Sequence, residues 1–150
     1  MKKNIIVTAI LYTFFFSVST AQNFLHNFED ATTQAQSESK TVMMIFSGSD
    51  WCKPCIQLRK TILEDPVFDE YANDKLVLLE LDFPYKKKNR LPKEQQKHNE
   101  KLADQYNPQG IFPLMLLLDA NGEVIQKMEF DPRLTPASYV TKIKRQVAKS

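Results

Sequence analysis

Apolar and polar positions along this chain follow two different periods, and the switches between them mark its elements. Thr41-Val42-Met43-Met44-Ile45-Phe46 is a short apolar run that reads as a buried strand, with Ser47-Gly48-Ser49-Asp50 as the loop leaving it. Ile56 to Leu63 then has helical character and stops before Pro66. Lys75 to Phe83 is nearly continuous in apolar residues, as a strand buried on both faces should be. Leu114-Met115-Leu116-Leu117-Leu118-Asp119 has the same character. Ala120-Asn121-Gly122 turns the chain after it, and Glu123 to Phe130 reads as the second arm of a hairpin.

Between the apolar runs the spacing predicts helices. Gln22 to Lys40 is polar with apolar points at Phe24, Leu25, Phe28, Ala31 and Ala35, and Asn27 suits a cap. Asp65-Pro66 breaks the pattern, and Val67 to Tyr71 reads as a short turn or helix. Pro92 to Tyr106 reads as a polar, exposed helix with Pro92 near its first turn. Thr135-Pro136 starts a last helix with Tyr139, Val140, Ile143 and Val147 on one face. The order is helix, strand, helix, strand, helix, strand, strand, helix. Strands separated by helices favour parallel pairing, and the closing hairpin adds antiparallel edges. The expected class is α/β, a mixed central sheet with helices on both faces.

Length and charge change the picture at the N-terminus. The 150 residues make one domain, but Met1 to Ala21 reads as a secretory signal. Lys2 and Lys3 are its basic start, Ile5 to Phe16 its apolar stretch, and Ser19-Thr20-Ala21 its small residues before cleavage. The stretch is short for a membrane span, and an uncleaved anchor is the competing reading. The expectation is a domain over 22–150, periplasmic or secreted, monomeric, with no stable membrane span after cleavage. Without Lys2 and Lys3 the basic count falls from 20 to match the 18 acidic residues. Net charge therefore gives no reason to expect nucleic acid. Lys86-Lys87-Lys88-Asn89-Arg90 is a dense basic run without interleaved aromatics, and reads as a solvated loop.

The chemistry is concentrated in Trp51-Cys52-Lys53-Pro54-Cys55, which holds the only two cysteines of the sequence. A zinc site would need further ligands, and His26 and His98 do not sit in a paired ligand spacing. A static cross-link over so short a loop would remove little chain entropy. A pair that opens and closes is the better use, and it needs no metal and no cofactor. Cys52, at the head of a helix, gains thiolate stability from the helix N-terminus. Lys53 adds a positive charge beside it, and Pro54 suits a first turn because it has no N–H to satisfy. Cys55, one turn in, is expected to be more buried and less acidic. Trp51 either shields the pair and offers an apolar contact or simply packs. Asp50 and Glu80 are candidates for moving a proton, with Asp50 equally suited to a loop or cap role.

In these features the chain resembles the thioredoxin superfamily, in particular its small exported members with a Gly-Ser-Asp-Trp-Cys-x-x-Cys site. The matches are Gly48 to Cys55, the apolar strand ending in Asp82, and Gly110-Ile111-Phe112-Pro113 before the next strand. The resemblance implies a three-layer sandwich, with Cys52 as nucleophile and Cys55 as resolving thiol. It also implies a cis Pro113 beside the dithiol, where Phe112, Pro113 and Trp51 meet the substrate; an ordinary trans proline at a strand start is the alternative. Asp50, Lys53 and Pro54 would modulate the site. The partners implied are protein disulfides and a membrane-bound electron donor. Two departures stand out. The places of a buried acid and its lysine partner hold Phe46 and Leu78, and Leu114 follows Pro113 where a small polar residue is common. The expected function is an exported thiol–disulfide oxidoreductase reducing or exchanging protein disulfides. The alternative is a redox-inactive binding module docking partners through Trp51 and Phe112.

Overall fold

The computed structural model describes residues 23–148, so the leader expected at 1–21 lies outside the described residues. Five strands form one sheet in the order β1-β3-β2-β4-β5. They are β1 (Phe24–Leu25), β2 (Thr41–Ser47), β3 (Leu76–Asp82), β4 (Leu114–Leu118) and β5 (Val124–Glu129). The helices are α1 (Phe28–Glu38), α2 (Lys53–Leu58), α3 (Pro66–Lys75), α4 (Lys93–Tyr106) and α5 (Pro136–Val147). No helix among the described residues is long and apolar enough to cross a membrane.

Burial explains the strand order. Every residue of β2 and β4 is buried, so both must be covered on two faces and flanked on two edges. β5, largely exposed along its length, takes one edge, and the two-residue β1 takes the other. Side chains alternate across the sheet. Met43, Ile45 and Leu78 face α2, α3 and α5 through Leu58, Phe68 and Tyr139. Met44, Phe46 and Leu81 face α1 and α4 through Ala31, Ala35 and Leu102. These are the three layers.

The structure departs from the sequence reading in four places. Phe24 and Leu25 form a strand parallel to β3, too short to show any periodicity. The segment after Asp65 is a full helix of ten residues, because the Asp65 carboxylate accepts from Val67 N–H and Phe68 and Ala72 enter the core one turn apart. The helix after the cysteines reaches Leu63, but its last five residues, Arg59–Leu63, form a π-helical turn. Lastly, β4 follows a helix yet runs antiparallel to β2, whereas β3 is parallel to it. The connection through α4 begins at Asp82 and ends at Phe112, both beside the Ser49–Trp51 loop, so it leaves and rejoins the sheet at one end. A strand re-entering from the end its predecessor left must run the other way.

Candidate active site

Cys52 and Cys55 are joined by a disulfide, with S–S 2.07 Å and Cα–Cα 5.2 Å. Cys52 is the N-cap of α2, Lys53 is its first residue, and Pro54 follows in the first turn as expected. The two sulfurs differ in their donors rather than in their exposure. Cys52 Sγ accepts from the Cys55 backbone N–H at 3.2 Å, while Cys55 Sγ accepts from Gly48 N–H at 3.5 Å. Each cysteine is 4% exposed, so the greater burial expected of Cys55 is absent in the oxidised form. The bond that draws the Cys52 sulfur onto the helix also covers it. What separates the thiols is the helix N-terminus, which serves Cys52.

Beside the cysteine loop, aromatic rings packed on Trp51 form a rim. The Trp51 ring is 5.5 Å from that of Phe112, edge to face, and Phe112 is 5.4 Å from Phe83 in the same manner. Trp51 Nε1–H donates to the Phe83 carbonyl at 2.7 Å, yet the residue stays 48% exposed. Its ring is anchored at its polar edge and open on its apolar face, which is the form of a contact surface. Gly48 makes this possible: a Cβ there would lie 2.4 Å from the indole. The Phe112–Pro113 bond is cis, as the resemblance implied, and Pro113 is buried behind the rim.

Two carboxylates tie the cysteine loop to the segment after β3. Asp82 accepts from Ser49 N–H at 2.8 Å and from the Ser49 hydroxyl at 2.6 Å. Asp50 returns the tie, accepting from Tyr85 N–H, Lys86 N–H and Asn89 Nδ2 at 2.8, 3.0 and 2.8 Å. Partial burial of Asp50 would raise its pKa, but these donors outweigh burial and hold the carboxyl below its ordinary range. All the hydrogen bonds of Asp50 go to this segment, which is the loop role. Glu80, the other candidate for proton transfer, points to the α2 side of the sheet and pairs with Arg59, four residues beyond Cys55. Phe46 and Leu78 are both buried and apolar, but they lie on opposite faces: Phe46 stands beside Leu81, and Leu78 beside Met43. Their expected relation as a replaced pair is therefore corrected, because a register shift of three residues between parallel strands changes the face.

Asn107 and Phe83 were not singled out from the sequence. Asn107, 4% exposed, donates to the Ile111 carbonyl and accepts from the Ile111 N–H, fixing the chain just before Phe112. Phe83 completes the rim. The Asn107-Pro108 dipeptide, a turn signal, was the usable sign, while nothing local marks Phe83 as the bridge between Trp51 and Phe112. His26 contacts the Glu80 carbonyl and His98 accepts from Phe28 N–H. Among the described residues no three metal-ligating side chains gather.

The thioredoxin-like domain family model matches residues 28–130. A protein of Chlamydia pneumoniae named disulfide bond reductase DsbH is 36% identical over 118 residues, 79% of this chain and 69% of that protein. A solved structure named DsbH oxidoreductase superposes with a TM-score of 0.78 at 29% identity, covering 100% of this chain and 96% of its own. A thioredoxin from Thermus thermophilus, at 18% identity and TM-score 0.63 over 86% of this chain and 90% of its own, shares the fold. The family match runs from the start of α1 to just past β5 and includes both cysteines and Pro113. The chain thus belongs to the thioredoxin-like domain family, and its enzyme class is thiol–disulfide oxidoreductase.

Proposed function

We propose that this protein is an exported reductase of protein disulfides, with Cys52 attacking and Cys55 resolving. The observation that carries the reading is the hydrogen bond from Cys55 N–H to Cys52 Sγ, at the head of α2. A thiolate there keeps a donor and the helix N-terminus; one at Cys55 has the longer contact from Gly48 alone. The direction is supported by similarity to a protein named as a reductase. Export is supported by the leader read in Met1–Ala21.

In the reduced form, the Cys52 thiolate attacks one sulfur of a client disulfide. The mixed disulfide forms, and the first client sulfur leaves as a thiolate that takes a proton. Cys55 then loses its proton and attacks Cys52 Sγ, which forms the Cys52–Cys55 bond and releases the second client thiol. Two electrons pass to the client, and the enzyme is left in the disulfide state seen here. A dithiol donor, expected in the membrane, returns two electrons to close the cycle. Glu80, held by Arg59 on the α2 side, is the candidate to take the Cys55 proton, since the carboxylate of Asp50 is committed to the Tyr85–Asn89 segment. Trp51, Phe112 and Pro113 form the surface on which the client chain lies, and Lys53 and Pro54 shape the head of α2.

Trapping tests the assignment. Cys55→Ser should accumulate mixed disulfides on envelope proteins through Cys52, and Cys52→Ser should leave almost none. Equal trapping by both, or trapping by Cys52→Ser alone, would overturn it. The open face of Trp51 also suits a module that docks partners without turnover. That reading takes first place if neither variant traps a client and the wild type fails to reduce insulin.

A further inference from the structure

The segment between β3 and the middle of α4 carries a charge that the redox chemistry does not use. From Phe83 to Asn99 there are six basic residues, Lys86, Lys87, Lys88, Arg90, Lys93 and Lys97, and one acidic residue, Glu94. The rest of the described chain is the reverse, with 11 basic and 17 acidic residues. None of the six cations makes an ion pair among the described residues, although the same structure forms five such pairs elsewhere. The Lys86 ammonium acts on Asp50 only through space, and that carboxylate is already covered by three donors, the Lys86 backbone N–H among them. All six residues are exposed, and the run Tyr85–Arg90 is exposed throughout.

One of these cations, Arg90, lines a cleft beside the run. A cavity of about 350 Å³ is lined by Phe83, Tyr85, Leu91 and Arg90, together with two carboxylates, Asp82, which Ser49 holds, and Glu100. That volume is at the small end of ligand sites and accommodates one large apolar side chain. Its wall belongs to the active-site rim. Phe83 receives the Trp51 indole N–H on its carbonyl and meets Phe112 with its ring. Asp50 and Asp82 fasten the segment to the cysteine loop. A chain lying across Trp51 and Phe112 therefore continues into this cleft.

Resting on the reductase reading, we propose that the Phe83–Asn99 segment is a docking surface for acidic client polypeptides, seating one large apolar side chain beside Phe83 and Leu91. The unpaired cations supply the complement to Asp and Glu residues flanking the client disulfide. The opposite net charge of the remaining surface turns an approaching acidic chain toward this side, because clustered charge of one sign steers encounter. Such rim charges act on association and on salt dependence more than on the chemical step. Acidic clients are thus selected before the disulfide is touched.

The test separates docking from turnover. Short cysteine-free peptides with a central Phe, flanked by Asp/Glu or by Lys/Arg, are titrated into the oxidised full chain and followed by amide chemical shifts. The acidic peptide should bind about tenfold more tightly at low salt, with shifts centred on Tyr85 to Asn99, and salt should erase the difference. Lys87→Ala/Lys88→Ala/Arg90→Ala should bring the two peptides to equal affinity. Lys60→Ala/Lys142→Ala/Arg145→Ala removes as many charges from the other face of the sheet and should keep the preference. Equal binding of both peptides by the wild type, shifts on the other face, or loss of preference in both triple variants would overturn the proposal. So would binding of phosphatidylglycerol vesicles without binding of the acidic peptide, which would assign the patch to a membrane surface. Disulfide-linked versions of the peptides then read turnover. Docking without reduction leaves the surface intact and removes the reductase reading, and reduction without acidic preference does the opposite.

Discussion

At the scale of single residues, the site depends on a few side chains that hold other groups in place. Gly48 is one, since any Cβ there meets the indole of Trp51 at 2.4 Å. The expected result of Gly48→Ala is an indole swung away from Phe112 and from the Phe83 carbonyl. Tryptophan fluorescence should change and KM for protein clients should rise several-fold. Stability should fall by only about 1 kcal/mol, the net worth of one hydrogen bond. An unchanged emission spectrum would show that the indole is not packed as described. Asp50 gives a pH signature at the same scale. Its pKa is depressed in the folded state by donors that outweigh its burial, so the stability it adds is present above the unfolded value of 3.8 and is lost as pH falls through the lower folded value. The amide resonances of Tyr85 and Lys86 should therefore titrate together below pH 3.8, and Asp50→Asn should abolish that titration. The roles of Cys52, Lys53 and Pro54 at a helix head were legible in the sequence, because capping and first-turn preferences are local. That of Gly48 was not, and for Asp50 the loop role was one of two readings without its partners, since the atoms they serve lie across a turn of the loop or 35 residues away.

At the scale of elements, caps and hinges decide which segments hold their shape. The Asp65 carboxylate caps α3. Asp65→Ala should cost about 1 kcal/mol in denaturant unfolding, the usual loss of an N-cap. Asn107 has a larger task, because both of its side-chain amide bonds go to Ile111, next to Phe112. Asn107→Ala should cost about 2–3 kcal/mol, two partly buried hydrogen bonds with polar groups left unmatched. It should also weaken client reduction more than it weakens turnover of a small disulfide, because the rim loses its support. Equal loss with both substrates would show that Asn107 acts on folding alone. The long apolar runs gave β2, β3 and β4 directly, since two-sided burial leaves few polar positions in a strand, at its end or at a paired group such as Glu80. α3 was read as a shorter piece because only Phe68 and Ala72 mark its inner face. β1 gave no signal, two residues being fewer than one period.

At the scale of the whole molecule, the sheet divides the core in two, and the division sets which substitutions interact. Phe46 and Leu81 share the α1/α4 face, whereas Leu78 belongs to the α2/α3/α5 face. In alanine double-mutant cycles Phe46 and Leu81 should couple, with an interaction energy of at least about 0.5 kcal/mol. Phe46 and Leu78 should add within about 0.5 kcal/mol, as sites without shared partners do. Coupling between Phe46 and Leu78 would mean that the strand register is wrong.

The sequence by itself determined the chemistry and most of the elements. Two cysteines around Lys53-Pro54 at a strand-to-helix junction, and apolar runs bounded by turn residues, are local signals, and local backbone preferences act on neighbours. Only the tertiary structure decided which strands are neighbours, that β4 runs against β2, and that Phe46 and Leu78 face apart. It also brought Asp50 and Asp82 across to each other's loops, and set the Lys86–Arg90 run beside the rim at Trp51 and Phe112. The reason is physical: strand pairing and loop contacts join residues tens of positions apart. The free energy that selects them is the burial of two sheet faces at once, which no single segment contains.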